Sequence, residues 1–455
     1  MLVFLGFGVL IGRVTRTPAD DALASARAPI KLLLPSTSAP AASSSPAPAE
    51  PSSAGETPAP EAAAETTPAP AAPAKSEAKT PSHSSEAGAA KGGSGSQQAS
   101  EPAADAPATK LPPIKHVFVV MLSDEPFASV FGPSSTAPYL TGTLEHQGEL
   151  LAHYDAVAHN ELADGAALIS GQGPTAETAA NCPTYTEIAA TGVGADEQVL
   201  GNGCVYPRST QTLAGQLEGK HLTWRAYVQG IDEAGAQAGA CAHPALGAAD
   251  ATAAEGASTG AYATFRNPFV YFASIVDSPA CAADDVGLAS LQGDLATPAS
   301  TPSFAYIVPD RCDDGNPTPC TPGAAAGMTQ ANTFLAQVIP EITGSKAYKE
   351  SGLLVITVDQ APSSGAFADF ASCCGQPLFP NAPARTLAGT PKGGGLVGAL
   401  LLSPYVKAAT SSQEAFNDFS LLRTIEQLFG LPALGYAGLP AVKPLEPALF
   451  TAGKS

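Results

Sequence analysis

Three short acidic clusters mark the places in this chain where side-chain chemistry could reside. Ser123, Asp124 and Glu125 form the first, Asp310, Asp313 and Asp314 the second, and Asp359 with Gln360 the third. Each follows a short apolar run, and carboxylates brought together from several such ends are hard oxygen ligands of the kind that hold Mg²⁺ or Ca²⁺. Two more carboxylates stand where helical patterns begin: Glu161 directly after Asn160, and Asp418 ahead of Phe419, Leu422, Ile425 and Phe429. Each also has a purely structural reading. Glu161 can stabilise the positive start of a helix by about 0.3–1 kcal/mol, and Asp418 can serve as an N-cap worth about 1 kcal/mol. Asp124 and Asp359 read equally as solvated loop carboxylates, and His116, His153 and His159 as packed or surface histidines rather than ligands.

The elements that would position these residues are legible as runs and periods. Residues 114–122, IKHVFVVML, form a continuous apolar stretch suited to a strand buried on both faces of a parallel sheet. Residues 223–228, 304–308, 353–358 and 397–402 repeat the pattern, each bounded by Gly, Pro, Asp or Ser. Helical periods lie between and after them, at 329–342 and at 420–429, the second stopped by Gly430 with Pro432 beyond. This alternation predicts an α/β domain over 113–455, with a mainly parallel central sheet flanked by helices. In such a sheet functional groups collect beyond the carboxyl ends of the strands, where the acidic clusters fall.

Composition divides the chain. Residues 13–112 are dominated by Pro, Ala, Ser, Thr and Glu, with no aromatic residue, and predict a disordered, partly polyproline II linker that provides reach. Residues 1–12, MLVFLGFGVLIG, are an apolar segment shorter than the roughly 20 residues a spanning helix needs, and read as a membrane anchor or signal-like segment. Of the net charge of −19, −17 belongs to 113–455, a field that repels phosphodiester backbones and argues against nucleic-acid partners. All eight cysteines lie in that part without Cys-x-x-Cys spacing, so disulfides are expected in preference to zinc. Sequence neighbours suggest Cys182 with Cys204, Cys241 with Cys281 and Cys312 with Cys320, leaving the adjacent Cys373 and Cys374 to bond elsewhere or to each other. The domain is therefore expected outside the cytoplasm, anchored to the cell membrane through the N-terminal segment alone, or secreted.

A series of longer segments appears in order: IKHVFVVMLSDEPFASVFG (114–132), HYDAVAHNELADGAALISGQ (153–172), LAGQLEGKHLTWRAY (213–227), NPFVYFASI (267–275), FAYIVPDRCDDG (304–315), GLLVITVDQ (352–360), LLLSPYVK (400–407) and NDFSLLRTIEQLFGL (417–431). Over about 113–435 the series resembles the bacterial phosphoesterase family that includes acid phosphatases and phospholipases C, within the alkaline-phosphatase-like superfamily. The resemblance implies a metal-dependent phosphoester hydrolase in which a hydroxyl at a helix start attacks phosphorus while divalent cations offset the developing charge.

The residues at the family's working positions differ from that pattern. Ser123 and Asp124 stand where the family has Glu-Asn, and Glu161 stands where it has its Ser or Thr nucleophile. Asp359 matches, but Gln360 replaces the Glu of the Asp-Glu pair, Asn316 stands for the His of an Asp-Gly-His-like segment, and Asp418 stands for a later His. Carboxylates without imidazoles would favour Mg²⁺ or Ca²⁺ over Zn²⁺, or no cation at all. Two readings follow. One is a degenerate hydrolytic site, Glu161 at the catalytic position, in a domain with a binding or structural role at the cell surface, its partner a small phosphoester or cell-surface ligand. The alternative is an active metal-dependent phosphoesterase in which Asp124, Asp359, Gln360 and Asp418 form the metal site and Glu161 acts as base toward a metal-bound water.

Overall fold

The continuous apolar runs become the middle of one nine-stranded sheet in the computed structural model. Residues 110–233, 239–253, 262–320, 322–382, 386–387 and 390–451 are described. The expected anchor at 1–12 and all but the last three residues of the expected linker at 13–112 lie outside them. The strands in chain order are β1 (His116–Leu122), β2 (Glu149–Ala156), β3 (Trp224–Val228), β4 (Asp285–Gly287), β5 (Phe304–Val308), β6 (Gly352–Val358), β7 (Gly395–Leu396), β8 (Ala399–Leu402) and β9 (Thr410–Asn417). Across the sheet they run β9-β2-β8-β6-β1-β5-β3-β4, with β7 beside β2 in line with β8.

From β6 to β4 every pairing is parallel, and Val119 of β1 lies between Tyr306 of β5 and Val355 of β6. Every residue of β1, β5 and β6 is buried, as runs without alternation require. β8 runs antiparallel to both β6 and β2, and β7 antiparallel to β2, in an otherwise parallel sheet.

Two local differences from the sequence reading have physical causes. The strand expected at 397–402 begins at Ala399, because the N–H groups of Val397 and Gly398 both donate to the Tyr154 carbonyl, at 3.0 and 2.9 Å, with Gly398 at φ +76°. That double bond is a bulge, and a left-handed residue there suits Gly alone. β2 and β9 carry no continuous apolar run: β2 mixes half-buried and exposed positions with its buried ones, and β9 is exposed at Ser411 and from Gln413 to Ala415.

Three helices place the residues of interest: α1 (Glu161–Ser170), α2 (Gly327–Gly344) and α3 (Asp418–Phe429), α1 packing against α3. Asn417, not Asp418, caps α3. Its side chain accepts from the Ser420 N–H at 3.1 Å, while Asp418 is the first helical residue and is fully buried. The helix closes at Gly430 with φ +64°, as the sequence led one to expect. Four disulfides join Cys182 to Cys204, Cys241 to Cys281, Cys312 to Cys320 and Cys373 to Cys374. Among the described residues no helix is long and apolar enough to cross a membrane.

The turn after α3 depends on a buried acid. Glu426 accepts from the Leu434 N–H at 2.8 Å, and burial pushes its carboxyl up to about 8, with the Leu434 bond acting in the opposite direction. Asp285, both of whose oxygens accept from Asn267 Nδ2, is pushed up by burial to about 7. Between the ordinary carboxylate range and these values the folded chain keeps protons that the unfolded chain has lost. Stability from both groups is therefore complete at low pH and is lost as pH rises through the raised values. The melting temperature is expected to fall from about pH 5 to about pH 9, and Glu426→Gln should make that slope shallower in a calorimetric series.

Candidate functional site

The carboxyl ends of β6, β1 and β5 lie side by side, so the loops that follow them meet. The Asp124 N–H donates to Asp359 Oδ1 at 3.3 Å, and Asn316 Nδ2 donates to Asp124 Oδ2 at 3.5 Å. Asp124 stands at φ +54°, a left-handed turn that brings its amide back toward Asp359. Three residues placed together by the family resemblance are thus in one hydrogen-bonded group.

Glu161 reaches the same place from β2. The chain leaves β2, turns through Val157–Asn160 and enters α1 at Glu161, with Asn160 at φ +74°. Gln360 fixes this elbow, its Oε1 accepting from the Asn160 N–H at 2.8 Å and from His159 Nδ1 at 3.3 Å. Glu161 Oε1 accepts from Ser123 Oγ at 3.5 Å, and Oε2 from Asn181 Nδ2 at 2.5 Å. Asn181 also accepts from the Leu162 N–H at 3.3 Å, which ties the start of α1 to the loop at Asn181. Ser123, whose hydroxyl touches Glu161, is fully buried.

Asp418 belongs to a second group. Its Oδ1 accepts from Tyr154 OH at 2.9 Å and its Oδ2 from the Val157 N–H at 3.2 Å. Asp164 lies against it, with Oδ1 accepting from Val157 N–H at 2.8 Å and Ala158 N–H at 3.0 Å. Burial drives both carboxyls upward. Asp418 reaches about 7, lowered in part by Tyr154 and Asp164, and the Asp418 charge adds to the rise at Asp164. Two buried carboxyls in contact hold a proton between them, since both cannot be charged at once. The pair clamps the elbow that presents Glu161.

Arg266 is the residue that sequence reasoning missed. It ends a short turn, Thr264–Arg266, and is 5% exposed. Its guanidinium pairs with Asp314 through Nη1, donates to the Pro309 carbonyl at 3.2 Å and to the Met121 carbonyl at 3.3 Å, and stands 3.9 Å from Asp359 Oδ2. It therefore joins the ends of β5, β1 and β6. Asp314 gives its other oxygen to the Asn316 N–H at 2.7 Å. Burial pushes Asp314 up to about 7 against the pull of Arg266, and raises Asp359 well above the carboxylate range, with Glu161 adding to the rise and Arg266 opposing it. The buried Asp359 is no solvated loop carboxylate.

The donor set does not fit a divalent cation at Asp359. Asp359 faces the Asp124 amide and Arg266, Asp314 is paired with Arg266, and both oxygens of Asp418 accept from the chain. Among the described residues, the one group of three His, Cys, Asp or Glu side chains with ligand atoms mutually within 4.8 Å is Cys241, Cys281 and Asp285. Those cysteines are disulfide-bonded. Of the other acids expected from sequence, Asp313 is held by Gln229 and Gln330 at 2.6 and 2.7 Å, and Asp310 turns its own loop. His116 is buried with Nδ1 3.0 Å from the Pro302 carbonyl, and His153 is bound to Gln413 at 3.1 Å.

The Phosphoesterase family model matches residues 114–432, and the chain belongs to that family. No curated protein sequence matches the chain. Among solved structures it is similar to a protein in the alkaline phosphatase superfamily from Vibrio parahaemolyticus, with 13% identity, TM-score 0.41, and 75% of this chain and 72% of that one covered. It is also similar to the lipoteichoic acid synthase LtaP from Listeria monocytogenes, at 9% identity and TM-score 0.41, covering 76% and 80%. A third is the phosphonate monoester hydrolase SpPMH from Silicibacter pomeroyi, at 12% identity and TM-score 0.38, covering 74% and 76%.

The clamp at the elbow makes a distinguishable prediction. Asp164→Ala leaves the buried Ala158 N–H without its side-chain acceptor and the Val157 N–H with Asp418 alone, and should destabilise the domain by about 1–3 kcal/mol. Asp164→Asn keeps an acceptor and can donate to Asp418, so it should cost less than about 1 kcal/mol. Equilibrium denaturation near neutral pH separates the two.

Proposed function

We propose that this chain is a phosphoesterase-family domain whose hydrolytic site is degenerate, and that it binds a small phosphoester or cell-surface ligand outside the cytoplasm. The observation that carries the reading is Glu161. At the start of α1, where the resembled family has a hydroxyl nucleophile, a carboxylate is bound by Ser123 and Asn181. It adds negative charge where a phosphate would approach: two unit charges 4 Å apart repel by roughly 4 kcal/mol at an effective dielectric of 20. Ser123, the hydroxyl beside it, is buried and cannot be reached by a substrate in its place.

A binding role is supported by a cleft of about 230 Å³ next to the elbow, lined by His159, Asn160, Phe370, Leu378, Phe379 and Lys392 among others. His159 meets the Phe370 ring edge-on at 4.7 Å, and Lys392 Nζ lies 4.2 Å from the centroid of the same ring. An apolar or aromatic group bearing a negative charge suits such walls. The four disulfides support an oxidising compartment, and the apolar segment at 1–12 with the Pro-rich stretch at 13–112 supports attachment to the membrane by a tether. The second reading, an active metal-dependent hydrolase, has Asp359 in its favour as the one matching ligand.

Assays of phosphomonoester and phosphodiester hydrolysis with added Mg²⁺, Ca²⁺, Mn²⁺ and Zn²⁺ test this. The expected result is turnover no greater than that of Glu161→Ala, and Glu161→Ser alone should not create family-level activity, because Ser123, Asn316, Gln360 and Asp418 remain. Robust metal-dependent hydrolysis by the unmodified chain, abolished by Asp359→Ala, would establish the second reading instead.

A further inference from the structure

A guanidinium buried among carboxylates at the carboxyl edge of a sheet calls for a reason, because a buried charge persists only when it is paired and hydrogen-bonded. Arg266 meets that condition at its two terminal nitrogens, while its buried Nε has no hydrogen-bond partner among the described residues. Its two terminal nitrogens have Asp314, the Pro309 and Met121 carbonyls, and Asp359 around them. Glu161 contributes to the same field, helping with Asp314 and Asp359 to keep the guanidinium charged against the cost of burial. The contacts bind the ends of three adjacent parallel strands through one planar group with fixed donor directions.

The backbone is built to hold that group in place. Asn267, fully buried, donates from Nδ2 to both Asp285 oxygens at 2.9 and 2.8 Å, which fixes the chain immediately after Arg266. Pro268 then lies against Gly165 of α1 so closely that a Cβ there would stand 3.0 Å from the proline ring. Arg266 is thus set from one side by a buried amide and from the other by α1, the helix that begins at Glu161.

We propose that Arg266 is the resident cation of this site: its guanidinium takes the electrostatic place of a divalent ion, so the carboxylates at Asp314 and Asp359 are held without metal. A guanidinium does not lose its proton in proteins, so its positive charge persists at every pH the fold survives. It also keeps a second cation out, since Mg²⁺, Ca²⁺ or Mn²⁺ at Asp359 would sit beside a fixed positive charge. Removing the charge should therefore convert an occupied site into a vacant one with a preference for hard divalent ions. The inference rests on the reading of the site as altered in its ligands, and not on the absence of turnover.

The test is thermal unfolding of the full chain, together with Mn²⁺ binding followed by electron paramagnetic resonance. The wild type should unfold at the same temperature after chelation and with added Mn²⁺ or Ca²⁺. Arg266→Met, which keeps bulk without charge, should be less stable without metal and regain part of the loss with Mn²⁺, but not with NaCl at matched ionic strength. It should bind Mn²⁺ at least about tenfold more tightly than the wild type, and adding Asp359→Asn should abolish the gain. Arg266→Lys should remain indifferent to metal. Wild-type protein that loses stability on chelation, or that binds Mn²⁺ in a manner lost with Asp359→Asn, overturns the proposal. So does a folded Arg266→Met without a Mn²⁺ response. If Arg266→Met does not fold, the wild-type and Arg266→Lys measurements decide alone. A metal-free wild type that turns over phosphoesters contradicts the degenerate-site reading and leaves Arg266 as the cation, whereas an inert wild type carrying metal at Asp359 does the reverse.

Discussion

The buried pairing of Arg266 with Asp314, extended to Asp359, is the interaction on which the organisation of the site depends. Parallel strands β6, β1 and β5 deliver carboxyl groups to one edge, where burial disfavours the charged forms of Asp314 and Asp359 and an opposing charge favours them. The guanidinium supplies it from within the chain, with hydrogen bonds to two strand-end carbonyls as well. A doubly charged ion 4 Å from that group would be repelled by roughly 8 kcal/mol at an effective dielectric of 20. The same electrostatic demand can be met by metal or by arginine, and the two solutions exclude each other at this spacing.

The elbow between β2 and α1 is the second part of the design. It retains what presents a catalytic group well: an abrupt turn at Asn160, the Gln360 side chain bound to the turn's backbone, and a proton-sharing pair, Asp164 and Asp418, beneath it. What it presents is a carboxylate already bound by Ser123 and Asn181. On the degenerate-site reading, the scaffold and the chemistry of hydrolysis are separable, because the fold is held by strands and buried hydrogen bonds that do not themselves touch substrate.

Much of the fold was legible because its central strands are buried on both faces. β1, β5 and β6 are continuous apolar runs and need no context to be read. β2 and β9 escaped notice because one face of each is partly exposed and their residues, such as His153 and Glu414, look like those of loops. The three separated cysteine pairs follow nearest neighbours in sequence, at separations of 22, 40 and 8 residues. Within the site, Asp124, Glu161, Asn316, Asp359 and Gln360 were singled out by position in the motif series, and they do gather. Arg266 was not, because a lone arginine just ahead of NPFVYF reads as a surface residue until its burial is known. Asp164 escaped for a similar reason: one carboxylate in a run of alanines resembles the solvent face of a helix, whereas this helix is buried on nearly every side.

The most direct measurement is anomalous diffraction from crystals of the domain grown with Mn²⁺. Arg266 as the resident cation predicts a guanidinium in contact with Asp314 and no manganese peak within coordination distance of Asp359. A peak there, with the guanidinium displaced toward solvent, would contradict it.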